Sequence, residues 1–194
     1  MAHLVLASQS PRRQELLRRI GLTDFSVRVP QTDESAPEGL SPTALVEHIC
    51  RQKAIAARSL CTAEEIFLTA DTMVFLDDQR LGKPKDAADA LRMLTALQGC
   101  RHLVCTGVTV GQGERLLTQS ESTWVRFRPA TQEQLAAYVR TGEPLDKAGA
   151  YGIQGRGALL VEGIEGDFFN VMGLPLLRLS RMLEQFGILL WKEA

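Results

Sequence analysis

Leu4-Val5-Leu6-Ala7-Ser8-Gln9-Ser10-Pro11-Arg12-Arg13-Gln14-Glu15-Leu16-Leu17 is the stretch from which the fold class is read. A short apolar run reads as a strand that stops at Ser8. Ser10-Pro11 then opens a helix, because serine is favoured at the N-cap and proline at the first helical position. Arg12 and Arg13 fall in the first turn, where the helix dipole favours anions over cations. Two guanidiniums beside free backbone N–H groups and two serines point to a strongly anionic ligand, phosphate first.

Outward from this unit, strand signals cover 4–7, 25–29, 66–76, 103–110 and 122–128, with a weaker one over 158–164. Helix signals cover 11–20, 42–60, 87–97, 131–141 and 174–186. Strands alternate with helices, then cluster, then give way to helix. That order predicts an α/β layered domain: a mixed twisted sheet flanked by helices. Residues 31–42 read as a loop. Residues 142–157 carry five glycines and a proline, too polar for a core strand and too long for a simple turn, so they read as a functional loop.

A length of 194 residues suits one domain spanning 1–194, large or compactly two-lobed. Hydrophobic residues make up 45%, enough for a core, and charged residues 23%. With a net charge of −1 and 6% aromatics, no global basic field or stacking platform favours nucleic acid or an anionic membrane. Met-Ala-His-Leu-Val-Leu-Ala-Ser lacks the basic start of a signal peptide, and its apolar run is too short for a membrane span. Cys50, Cys61, Cys100 and Cys105 match no zinc spacing and form no C-x-x-C pair, so they read as free thiols of a reducing cytoplasm.

Three charged residues occupy apolar places. Along 42–60, helical spacing aligns Val46, Ile49, Cys50, Lys53 and Ala57, so Lys53 interrupts an apolar stripe. Such a lysine either snorkels along its own stem or brings its ammonium to an anion. Arg13 shares a face with Leu16, Leu17 and Ile20, which suits a structural ion pair or a ligand contact; Arg12 lies about 100° away. Asp71 interrupts 66–76, otherwise a buried-strand pattern, and an ionised carboxylate there needs a metal, a cation or a strand end. Lys83, in Gly82-Lys83-Pro84, and Asp33-Glu34 in the earlier loop are weak signals alone. Together Ser8, Arg12, Arg13, Lys53 and Lys83 set against Glu34 and Asp71 have the make-up of a triphosphate site: cations and hydroxyls for phosphate, carboxylates for a divalent ion. The chain has no P-loop, no G-x-S-x-G elbow, no H-E-x-x-H and no G-x-G-x-x-G after its first strand. Its three histidines, His3, His48 and His102, are scattered and read as structural.

The segments Leu6 to Arg13, Asp33-Glu34, Lys53-Ala54, Ala70-Asp71-Thr72, Gly82-Lys83-Pro84, Thr106-Gly107-Val108 and Gly173-Leu174-Pro175-Leu176 resemble, in order and through almost the whole chain, the Maf family of nucleoside triphosphate pyrophosphatases. Asp146-Lys147-Ala148-Gly149-Ala150-Tyr151-Gly152-Ile153-Gln154-Gly155 is similar to the branch acting on dTTP and UTP. One departure is Asp167-Phe168, where the family pattern has a small polar pair. The resemblance implies two lobes with a cleft between them, as in the inosine triphosphatase-like fold, and a homodimer. It implies Asp71 as the catalytic carboxylate, and Arg13, Thr72 and Gln154 in base choice. It places Ser8, Arg12, Glu34, Lys53 and Lys83 at the phosphate and metal end, with Mg²⁺ or Mn²⁺ held by Glu34 and Asp71. Whether Arg12 or Arg13 bears on base choice stays open at this level. So do two other readings: action on modified nucleotides such as 7-methyl-GTP or inosine triphosphate, and a nucleotide-binding regulator of septum formation.

Overall fold

In the computed structural model, which describes residues 3–33 and 35–191, the apolar opening run forms β1 (Leu4–Leu6), buried throughout. β1 pairs in parallel with β2 (Phe25–Val27) and with β3 (Ile66–Leu76), in the register Leu4↔Ile66, Val5↔Phe67 and Leu6↔Leu68. Leu4, Val5 and Leu6 point alternately to the two faces of the sheet and all are buried, so both faces are covered here, which the unbroken apolar sequence reflects. Among the described residues the sheet has seven strands; six follow the order β2-β1-β3-β5-β6-β7, where β5 is Arg101–Gln112, β6 Arg115–Phe127 and β7 Val161–Glu165. β4 (Gln79–Leu81) pairs antiparallel with β3, and β7 antiparallel with β6, so the sheet is mixed, as expected. The helices are α1 (Pro11–Arg19), α2 (Pro42–Arg58), α3 (Ala87–Leu97), α4 (Gln132–Val139), α5 (Phe168–Met172) and α6 (Leu176–Glu184). Among the described residues no helix is long and apolar enough to cross a membrane.

The chain divides into two compact units: Met1–Asp71, Thr106–Glu121 and Gly173–Ala194 form one, and Thr72–Cys105 with Ser122–Met172 form the other. In the first unit, α2 buries Leu45, Val46, Ile49, Cys50, Ala54 and Ala57, the stripe read from the sequence. Gly107 lets this helix approach β5 closely: a Cβ there would lie 2.4 Å from the Val46 carbonyl oxygen. The Cys50 thiol lies 3.2 Å from the Thr69 carbonyl oxygen, and the Thr69 hydroxyl donates to the Cys50 carbonyl (2.9 Å), stitching α2 to β3.

In the second unit, Asp86 caps α3 by accepting from the Asp89 N–H, and Thr131 and Gln134 close a capping box on α4. His102, Phe127 and Tyr151 pack edge to face with ring centroids 4.7–5.4 Å apart. The glycine-rich 142–157 stretch folds into 3₁₀ turns at Glu143–Asp146 and Ala148–Ala150, and a third, Arg156–Leu160, leads into β7.

Some boundaries differ from the sequence reading. β6 begins at Arg115 rather than at 122, because 116–121 is half-buried and, after Leu116-Leu117, carries Thr, Gln, Ser and Glu in place of an apolar run. β4 forms after a tight turn in which Asp77 adopts a left-handed φ of 48°. The last helix starts at Leu176, because Gly173 takes a φ of 110° and Pro175 stands at the N-cap, and the short α5 precedes it.

Candidate active site

The residues singled out by sequence fall in both units. In the first, β1 ends at Leu6 and the chain turns through Ser8 into α1. Ser10 stands at the N-cap, yet its side chain makes no capping bond; its N–H donates instead to the Ser8 hydroxyl oxygen (3.3 Å). Arg13 projects from the core side of α1 and is engaged at several points. Its Nη1 donates to the Ser8 Oγ (3.0 Å) and to the Ala70 carbonyl (2.7 Å), and its Nε donates to the Gly173 carbonyl (2.9 Å). One guanidinium thereby ties together the Ser8 turn, the strand just before Asp71 and the Gly-Leu-Pro segment. Ser8 is buried and its oxygen accepts twice, which leaves its O–H as a donor toward an incoming oxygen.

Lys53 does not snorkel away. Its Nζ lies 2.6 Å from Asp71 Oδ1, and the two side chains are only 16% and 11% exposed. The stitch one turn earlier produces this pair. Cys50 faces Thr69; three residues along α2 advance about 4.5 Å and two along β3 about 6.6 Å, on the same faces, so Lys53 meets Asp71. Asp71 Oδ2 is buried and has no hydrogen-bond partner among the described residues. Leaving a carboxylate oxygen in that state is costly unless a ligand completes it. Such an oxygen suits a divalent cation. Among the described residues no three His, Cys, Asp or Glu side chains gather into a ligand group. An ion at Asp71 would therefore rest on few carboxylates plus water and phosphate oxygens, the usual habit of Mg²⁺. Glu34 lies outside the described residues. Arg12 is half-buried on α1.

In the second unit, Thr72 continues β3, and Lys83 is exposed in the turn after β4. The Gly149 N–H donates to the Gly82 carbonyl (3.1 Å), so the Lys83 turn and the loop carrying Gln154 are joined. Gly149 also sits against Val74, where a Cβ would come within 2.9 Å. Gln154 is exposed between buried Ile153 and buried Gly157.

Two residues in this unit escaped the sequence reading. Glu143 looks like one more loop carboxylate, but it accepts from the backbone N–H groups of Arg156 (2.9 Å) and Gly157 (3.1 Å) and from the Tyr138 hydroxyl (2.9 Å). Burial pushes its carboxyl up, and these three donors together with Lys147 more than offset that, so it is held below the usual carboxylate value. Tyr138 is the second: burial raises its hydroxyl well above the ordinary phenol. The available signal was the clustering of five glycines within 142–157, which marks a backbone pressed against side chains.

The profile of the Maf-like protein family matches residues 3–186. A dTTP/UTP pyrophosphatase of Symbiobacterium thermophilum is 52% identical over 187 residues, 96% of this chain and 95% of the relative. One of Moorella thermoacetica is 52% identical over 194 residues, 98% of each chain. One of Methanosarcina barkeri is 43% identical over 197 residues, 100% of this chain and 98% of the relative. A HAM1 protein structure from Coxiella burnetii aligns over 95% of this chain and 100% of that one at 13% identity and a TM-score of 0.46.

Proposed function

Since the chain belongs to the Maf-like protein family, we propose that it hydrolyses dTTP and UTP to the nucleoside monophosphate and pyrophosphate. The observation that carries this reading is the Lys53–Asp71 pair: a cation fixed on Oδ1 and a buried Oδ2 left to act. In the reaction, a water oxygen bonds to the α-phosphorus as the bridging bond to the β-phosphate breaks. Pyrophosphate departs in line, and the water's proton passes to a base. Asp71 Oδ2 supplies either that base or a metal ligand; both roles need an open carboxylate oxygen. Lys53, Arg12 and Lys83 would offset the charge that develops on the phosphates, and the Ser8 hydroxyl would donate to a phosphate oxygen. Mg²⁺ or Mn²⁺ held by Asp71 and Glu34 would supply further charge neutralisation.

Base choice would rest on Thr72 and Gln154. A glutamine amide offers a donor and an acceptor, matching the O4 and N3–H edge shared by thymine and uracil. Cytosine presents the reverse pattern, which leaves polar groups unpaired if the amide is held in one orientation. Arg13 has Nε and Nη1 engaged by Gly173, Ser8 and Ala70, so its influence on base choice would pass through the Ala70 carbonyl to the strand that carries Asp71 and Thr72. Free thiols at all four cysteines support a reducing, cytoplasmic setting. The homodimer rests on the family resemblance, and sedimentation tests it.

The deciding experiment is a nucleotide panel of dTTP, UTP, CTP and GTP with Mg²⁺ or Mn²⁺, measuring released pyrophosphate. The expected outcome is fast turnover of dTTP and UTP and slow turnover of the others. Equal rates on all four would overturn the base assignment, and no pyrophosphate from any would overturn the reaction.

A further inference from the structure

Glu143 and Tyr138 together satisfy the backbone on both sides of Gln154. Glu143 Oε1 accepts from the Gly157 N–H and the Tyr138 hydroxyl, Oε2 accepts from the Arg156 N–H, and the Tyr138 oxygen accepts from the Gly152 N–H (3.1 Å). Residues 152, 156 and 157 are thus pinned to one carboxylate and one phenol, with Gln154 spanning the gap. The fit leaves no slack. A Cβ on Gly155 would lie 2.5 Å from both Glu143 carboxylate oxygens, and one on Gly157 would lie 2.6 Å from the Tyr138 oxygen and 2.7 Å from the Gly152 carbonyl oxygen. A side chain at Gly155 would displace the Glu143 carboxylate, and one at Gly157 would press on the Gly152 backbone as well as on the Tyr138 hydroxyl. Lys147 closes the base of the turn by donating to the Glu143 carbonyl (2.6 Å), and the Tyr151 hydroxyl, 2.9 Å from His102 Nε2, anchors its inner side.

We propose that Glu143 is a positioning residue for base selection: its carboxylate fixes the turn that carries Gln154 and so sets how that amide meets a pyrimidine edge. The inference rests on the reading of Gln154 as the base reader. An amide on a turn free to shift by an ångström can meet uracil or cytosine with similar loss; one on a pinned turn cannot. Both carboxylate oxygens are taken by the Arg156 and Gly157 N–H groups and the Tyr138 hydroxyl, so Glu143 acts through the turn and not on the base itself in this role.

The test uses the full chain with Glu143→Gln, Tyr138→Phe and Gln154→Ala, measuring kcat/KM for UTP and CTP beside thermal melting. Glu143→Gln keeps the side chain's size but turns an amide NH₂ toward backbone donors. The expected result is a UTP-to-CTP ratio lowered about tenfold, carried by a higher KM for UTP, with a smaller shift in the same direction for Tyr138→Phe. A brace that merely stabilises the fold would lower melting and depress both substrates equally, leaving the ratio unchanged. An unchanged ratio in both variants while Gln154→Ala collapses it would overturn the role of Glu143. An unchanged ratio in Gln154→Ala would overturn the base reader, and this inference with it. Should Glu143→Gln not fold, Tyr138→Phe decides alone.

Discussion

Asp71 and Glu143 are carboxylates in two regions with opposite hydrogen-bond accounts. Asp71 sits on a strand, paired through one oxygen to Lys53, with its other oxygen buried and unpartnered among the described residues. Glu143 sits at the start of a glycine-rich loop, and both its oxygens are filled by the chain's own donors. A carboxylate saturated by backbone N–H groups shapes the chain and has little acceptor capacity left for a ligand. One left half-satisfied away from water carries a standing cost, and such groups concentrate where chemistry is done. Under the proposed function, the contrast separates a reacting side, built on Asp71, from a holding side, built on Glu143.

Breaking the reacting side should have the largest effect. Asp71→Asn should leave a folded protein with turnover of dTTP lowered by about 10² or more, the scale of a lost general base, read as pyrophosphate release. Near wild-type turnover would move Asp71 into the holding class. Lys53→Met should lower turnover about tenfold by removing fixed positive charge, and a rise in salt should not restore it. Gly107→Ala should cost about 1–3 kcal/mol in denaturant unfolding, since its methyl would press on the Val46 carbonyl. By displacing α2 it should also lower turnover severalfold, linking a packing glycine to the Lys53–Asp71 pair.

The smallest effect on turnover belongs to the holding side and is a matter of pH. Burial lowers the His102 pKa from 6.5 to about 4. As pH falls below 6.5 the unfolded chain takes up a proton that the folded one refuses, so stability is lost progressively down to about 4 and levels off below. His102→Gln should flatten the melting temperature across that window while leaving turnover near neutral pH close to wild type. Glu143, depressed below its ordinary 4.5, stabilises above that value and loses its contribution only as pH falls through its lower folded value, so the two windows separate.

Much of the reacting side was legible in sequence because its residues break strong patterns. Asp71 interrupts a run that became β3 with the same bounds, and Lys53 interrupts a stripe that became the buried face of α2. A charge inside an apolar period stands out whether or not its partner is known. The holding side was hidden for the converse reason. Glu143 lies in a polar loop, where a carboxylate breaks no pattern, and its partners are backbone N–H groups thirteen and fourteen residues on, which every non-proline residue carries. The start of β6 was missed likewise, because half-buried strands edged with Ser, Gln and Glu lack apolar contrast. Arg13 is legible only in part: helical spacing shows its face, while its bonds to the Ala70 and Gly173 carbonyls depend on segments far along the chain.

The most direct test of the central claim, attack by water on the α-phosphorus beside Asp71, is hydrolysis of dTTP in water labelled with heavy oxygen, with both products analysed by mass. The account predicts that the label appears in dTMP and that pyrophosphate is unlabelled. Label in pyrophosphate, or dTDP and phosphate as the products, would contradict it.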